Sequence, residues 1–528
     1  MKKLALILAI SMLFISIAGC GGGGTTDTTT AGGTATTAAA SGGTTAPSGG
    51  ASPADKPNTV TIATQQDFVI LDPFYTSATP DYQANWCMFD SLLNQDAQGN
   101  TYPLVAESWE FSDDGLEFVV HVREGITFHD GTPVTAEDVV YSAMLMKEAP
   151  YKARVAILFT DAEVIDTYTM KFNLPQPAAS FIYELAYNFA VYPKAYHSAD
   201  PEGFKNNPIG CGAYQFVSRK SGEGVVLKAY DNYYGGKADI ENIVFKVIPD
   251  ASTALVSLEN GEIDLCQYVP AASYPLVLNN SKLELLQTPY TRVFNIILNM
   301  EEEPWAGNKV LRQALAHAID KQFLVDVALE GYGSVAYALV NESFIAYPKN
   351  LKQHERVYDV EKAKELLIEA GYPGGAGLKL KLTTIEMFKK QSELIQAMLQ
   401  EVGIDMQIEM VELSTYISDA AAGVMNMGLM STNQGSDASV FSGMLITEST
   451  NGANYGNPEV DALFTKASAI LDNDERSKVF DELYAIVLDE MPYISIYFVD
   501  TISCGRVDLN FADIMNYVGY KGMYYSYK

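Results

Sequence analysis

Five cysteines, five histidines and three tryptophans in 528 residues are the scarcities of this sequence. Cys20, Cys87, Cys211, Cys266 and Cys504 lie far apart and form no C-x-x-C pair. Neither a zinc site nor a disulfide framework is signalled, and the redox state of the thiols stays open. His121, His129, His197, His317 and His354 likewise lack metal-ligand spacing, so no metal and no cofactor is expected. Basic residues are few: 35 Lys and Arg against 65 Asp and Glu give a formal charge of -30 and a pI near 4.5. That excludes the basic footprint a nucleic-acid partner requires. No G-x-S-x-G, H-E-x-x-H or Cys–His arrangement occurs, which argues against a hydrolase. Long apolar runs are confined to Leu4–Ile17, shorter than the roughly 20 residues a helical membrane span needs.

What is present is a chain that is 48% hydrophobic, ample for two or three cored domains, with 32 tyrosines. Lys2 and Lys3 before the apolar run, and Ile17-Ala18-Gly19-Cys20 after it, have the form of a signal peptide over residues 1–20. Residues 21–57 are low in complexity and rich in Gly, Thr and Ala. They cannot bury enough apolar surface to order themselves. As a coil they span on the order of 35 Å and read as a tether.

The folded body is richest in pattern between Leu104 and Met144. Leu116, Phe118, Val120 and Val122 alternate with Glu117, Val119, His121 and Arg123 as a strand does. Asp113-Asp114-Gly115 and His129-Asp130-Gly131 are turn chemistry, and His129 is expected to be structural. Thr135 is a good N-cap, followed by Glu137 and Asp138 in the first turn. Val310, Leu311, Ala314, Leu315, Ala318 and Ile319 stripe a helix, and Val360–Tyr372 is a helix stopped at Gly371. Residues 378–410 read as strand, helix, strand, hence a parallel pair with a right-handed crossover. Gly261 is expected to end a helix at Leu258, Val460–Leu488 to be helical, and Tyr493–Val499 to be a strand.

Ala106-Glu107-Ser108-Trp109, Phe118–Arg123, Phe128–Gly131 and Ala136–Val139 closely resemble the signature of the family 5 extracellular solute-binding proteins. Phe89–Trp109, Asn232–Gly236, Ile240–Leu265 and the string VLRQALAHAIDKQFLV extend the resemblance over nearly all of the chain after the tether. Pro208–Tyr214 resembles the family's P-x-G-T-G-P-Y turn, with Cys211 for Thr and Ala213 for Pro.

The resemblance implies an α/β fold: a two-lobed, periplasmic-binding-protein-like body of class II with three sub-domains and a ligand cleft between the lobes. Lobe I is expected from residues 58–98, 205–300 and 492–528, its small sub-domain from 99–204, and lobe II from 301–491. It implies a non-enzymatic, monomeric receptor that delivers oligopeptides or dipeptides to the permease and ATPase of an ABC importer. An oligosaccharide, a nickel chelate or a signalling partner stays open. It further implies that Ile17–Cys20 is a lipobox, with lipid on Cys20 anchoring the protein outside the cytoplasmic membrane; an ordinary secretory signal is the alternative. Gln434–Asp437 looks like the W-x-x-D string of peptide-binding relatives, with Gln434 in the place of Trp. Asp437 is then expected to pair a ligand ammonium, Arg292 or Arg154 its carboxylate, and Tyr75 and Tyr455 to wall the pocket.

Overall fold

The computed structural model describes residues 58–95, 100–288, 292–433, 437–447, 452–510 and 526–527. The expected signal peptide, Cys20, the tether, Gln434 and most of the Tyr-rich tail lie outside them, as does the side chain of Arg154 in the helix Ala153–Ala156.

The strand Glu117–Val122 buries Phe118, Val120 and Val122 and turns Glu117, Val119 and His121 outward. It pairs with Ala106–Phe111 and Thr169–Asn173, and Asp161–Val164 completes a four-stranded antiparallel sheet. The helix Ala136–Glu148 covers this sheet and opens on a capping box. The Asp138 carboxylate accepts from the Thr135 amide at 3.0 Å and from its hydroxyl at 2.9 Å.

A seven-stranded sheet forms the body of lobe I, in the order Leu283–Thr288, Thr501–Arg506, Leu265–Cys266, Thr59–Thr64, Asn242–Val247, Gly224–Ala229, Tyr214–Lys220. Its core is continuous with that of the four-stranded sheet: Val60 and Ile62 share one buried cluster with Phe118 and Val120. The small sub-domain is therefore fused to lobe I by packing. Gly261 takes φ +75° just beyond the helix Ala251–Glu259, the left-handed stop that a Cβ would penalise.

Lobe II is built on a six-stranded sheet, in the order Gly333–Val335, Tyr493–Val499, Arg292–Leu298, Met427–Asn433, Lys379–Thr384, Asp405–Met410. The expected strand–helix–strand unit is there, with parallel strands flanking the helix Lys389–Glu401. Two expectations are corrected. The helical stretch Val460–Leu488 is two helices, Pro458–Ser468 and Asn473–Glu490, because the Asp472 carboxylate caps a new start by accepting from the Glu475 amide. The lobe I segments drawn to residue 300 and from 492 each include a strand that pairs into lobe II. Val293 faces Thr432, and Val293 also faces Phe498. The chain thus passes between the sheets from Thr288 to Arg292 and from Val499 to Thr501.

Candidate functional site

Strand polarity locates the cleft. In lobe II the parallel strands run the same way, to Thr384, Met410 and, several residues farther out, Asn433. Arg292 faces Asn433, so both crossings leave lobe II at that same edge. In lobe I the parallel strands end at Thr64, Val247 and Cys266. Thr288 faces Thr501, so the crossings arrive at that edge too. Each lobe turns the carboxyl ends of its parallel strands toward the other, the place where open α/β sheets bind ligands.

The helix Thr79–Met88 lies beside the lobe I edge, where Gln267 donates to the Gln83 side-chain oxygen at 2.9 Å. It buries Asp81, Gln83, Ala84, Asn85, Cys87 and Met88 but leaves Tyr82 and Trp86 half-exposed. Their rings stack 5.7 Å apart, and Trp86 meets Tyr187 of the small sub-domain at 5.7 Å. The ammonium of Lys152, 3% exposed, sits 5.1 Å from the Tyr82 ring and donates to Asn188 at 3.3 Å. This aromatic patch was not singled out in the sequence. The i, i+4 spacing of Tyr82 and Trp86 was its available signal.

Asp437 is neither exposed nor open to a ligand. It is 2% exposed, and the guanidinium of Arg476 grips it from both ends, Nη1 to Oδ2 at 2.8 Å and Nη2 to Oδ1 at 2.7 Å. Oδ1 also accepts from the Ser439 amide and hydroxyl at 2.9 and 2.6 Å. The expected ligand ammonium thus meets a carboxylate already engaged by an internal cation. Arg476 had a signal in the sequence, a charge on the buried stripe of Phe480, Leu483, Tyr484 and Val487.

Of the other expected residues, Arg292 is half-buried at the cleft edge of lobe II. Tyr75 is half-buried on the lobe I core with the Lys205 ammonium 5.7 Å from its ring. Tyr455 is corrected as a pocket wall. It is buried, donates to Glu490 at 2.5 Å, and lies at the end of the Tyr493–Val499 strand away from the crossings. His129 is structural, as its turn suggested. Its Nε2 donates to the Gly212 carbonyl at 2.9 Å and its Nδ1 accepts from the Gly210 amide at 3.3 Å. Burial holds its pKa down at about 4, so the ring is neutral. Gly210 and Gly212 serve close approach. A Cβ on Gly210 would lie 2.0 Å from the Met88 carbonyl oxygen. Among the described residues no cluster of His, Cys, Asp or Glu is placed to hold a metal, and no helix is long and apolar enough to cross a membrane.

Two α/β lobes, joined by paired crossings and facing each other across strand ends, define a protein that closes on a solute. The sequence profile of bacterial extracellular solute-binding proteins, family 5 (middle region), matches residues 100–454, and the chain belongs to that family. It is 28% identical over 477 residues to heme-binding protein A of Haemophilus influenzae, covering 83% of this chain and 87% of that one. It is 27% identical over 441 residues to the oligopeptide-binding protein AppA of Bacillus subtilis, covering 78% and 80%. The solved structure of HbpA2 from Haemophilus parasuis superposes with a TM-score of 0.81 at 25% identity, over 89% of this chain and 100% of that one. The chain is thus an extracytoplasmic solute-binding protein.

Proposed function

We propose that this protein captures peptides outside the cytoplasm and hands them to the permease and ATPase of an ABC importer, as a monomer and without turning them over. The observation that carries the reading is the facing pair of strand-end edges linked by both crossings, in a chain similar to an oligopeptide-binding protein. A peptide held there presents two charged ends and a polar backbone. Arg292, the first residue of its lobe II strand, is the residue assigned to pair its α-carboxylate, and the Tyr82–Trp86 stack offers a flat apolar wall. The peptide's ammonium needs a carboxylate other than Asp437. Cys20 carries the lipid that holds the protein at the membrane surface, and more than one acyl chain makes that hold stable.

Calorimetry with tetraalanine tests the reading. Saturable 1:1 binding, with the peptide recovered uncleaved, is the expected result. Arg292→Gln should weaken that binding by about 1.5–3 kcal/mol, the usual worth of a charge-assisted hydrogen bond. A second reading follows from the similarity to a heme-binding protein together with the half-exposed aromatic stack, which would suit a planar ring. Binding of haemin with no response to peptides would favour it.

A further inference from the structure

The two lobes also touch outside the crossings. The helix Phe181–Asn188 belongs to the small sub-domain, yet Tyr183 is 6% exposed and buried among the apolar side chains of lobe II. Its hydroxyl donates to Asn473 Oδ1 at 3.1 Å and accepts from Asn473 Nδ2 at 2.8 Å. The same Asn473 oxygen accepts from Arg476 Nη1 at 3.1 Å, and Arg476 holds Asp437. A backbone bond runs alongside, from the Ala179 amide to the Ser468 carbonyl at 3.0 Å. Ile182, next to Tyr183, packs against the cores of both lobes. One turn on, Tyr187 meets Trp86. This helix therefore spans from the lobe I aromatic patch to the buried ion pair of lobe II.

We propose that Tyr183 and Asn473 form an interlobe latch, made in the closed state and broken when the cleft opens. They are positioning residues: they hold the solute in without touching it. Three features support this. The contact joins helices of separate lobes that are covalently linked only through the crossings. Its hydrogen-bonding groups can all take water when it breaks, and only the Tyr183 ring and Ile182 then leave apolar surroundings. And it ends on Arg476, whose fork fixes Asp437 just beyond the cleft-edge strand Met427–Asn433. In the open state the Tyr183 hydroxyl and the Asn473 amide are hydrated, while Arg476 keeps Asp437. The latch thus adds closing free energy without leaving a bare charge behind. The inference rests on the solute-receptor reading, and its test has an arm that needs no solute.

Hydrogen exchange of the full, ligand-free chain reads the latch directly. Tyr183→Phe should speed exchange of the Ala179 amide and of the helix 181–188 by about tenfold, with the urea unfolding midpoint unchanged. Asn473→Ala should do the same, and the double variant should be no faster than either single one. Asn473→Asp keeps the acceptor and should restore part of the protection. With saturating tetraalanine, the wild type should gain protection at Ala179, and Tyr183→Phe should release the peptide about tenfold faster at an unchanged association rate. Unaltered exchange at Ala179 in Tyr183→Phe, or a uniform rise with a lowered unfolding midpoint, overturns the latch. If tetraalanine fails to bind the wild type, the peptide reading falls, and the ligand-free arm still decides the latch.

Discussion

Asp72 in lobe I and Asp437 in lobe II are both buried carboxylates, 0% and 2% exposed. Their surroundings differ in kind. Asp72 is held by neutral donors, with Oδ1 accepting from the Tyr192 hydroxyl at 2.7 Å and the Phe74 amide at 3.2 Å. Its Oδ2 is buried with no hydrogen-bond partner among the described residues. Burial outweighs those bonds and pushes its pKa up. Asp437 has a guanidinium on both oxygens. Depth alone does not say what a buried acid is for. The charge of its partner does.

The largest effect is expected at the ion pair. Arg476→Met leaves Asp437 buried without its cation and should cost about 3–5 kcal/mol in urea unfolding. Adding Asp437→Asn to that variant should recover part of the loss. If the single variant unfolds like the wild type, the two acids do not differ as described.

His129 extends the comparison to a base kept neutral, and its effect comes next. Its folded pKa, about 4, lies below the usual 6.5. Between those values the unfolded ring binds a proton that the folded one refuses. The stability gained from the neutral ring is therefore present above pH 6.5 and lost as pH falls toward 4, by about 3 kcal/mol. The difference between wild type and His129→Gln across that window measures it. The smallest effect belongs to Asp72→Asn. Its folded pKa is raised, so the ionised form costs stability at neutral pH, and that cost is absent below the unfolded pKa. The amide oxygen can keep both donors. The change should be within about 1 kcal/mol of zero, or stabilising. A loss as large as that of Arg476→Met would erase the contrast.

The sheets, the capped helix at Thr135 and the Gly261 stop were legible because each depends on neighbours in sequence: alternation, a cap three residues from its acceptor, a left-handed φ. Family membership was legible in the same region, where His129 and the glycines of Pro208–Tyr214 lock one turn onto another. The candidate site was not legible. Asp437 could be picked out as a carboxylate near a cleft, but its partner stands 39 positions later on another helix. Nothing local distinguishes a ligand's ammonium from an internal guanidinium. Tyr183 and Asn473 are separated by 290 residues, and only the docking of two lobes brings them together. The lobe boundaries were drawn a strand too far because Arg292–Leu298 and Tyr493–Val499 are mostly apolar and buried almost throughout. A buried strand reads the same in either sheet.

The strand Thr501–Arg506 sits inside the lobe I sheet, between Leu265–Cys266 and Leu283–Thr288. The lobe that begins the folded body therefore cannot close its sheet until the strand Thr501–Arg506 has been made. Among the described residues, Leu283–Thr288 has no neighbour in that sheet other than this late arrival. Such long-range pairing is slow to form. Wiring of this kind leaves lobe I incomplete until that strand is available, which suits a protein whose work lies outside the cytoplasm.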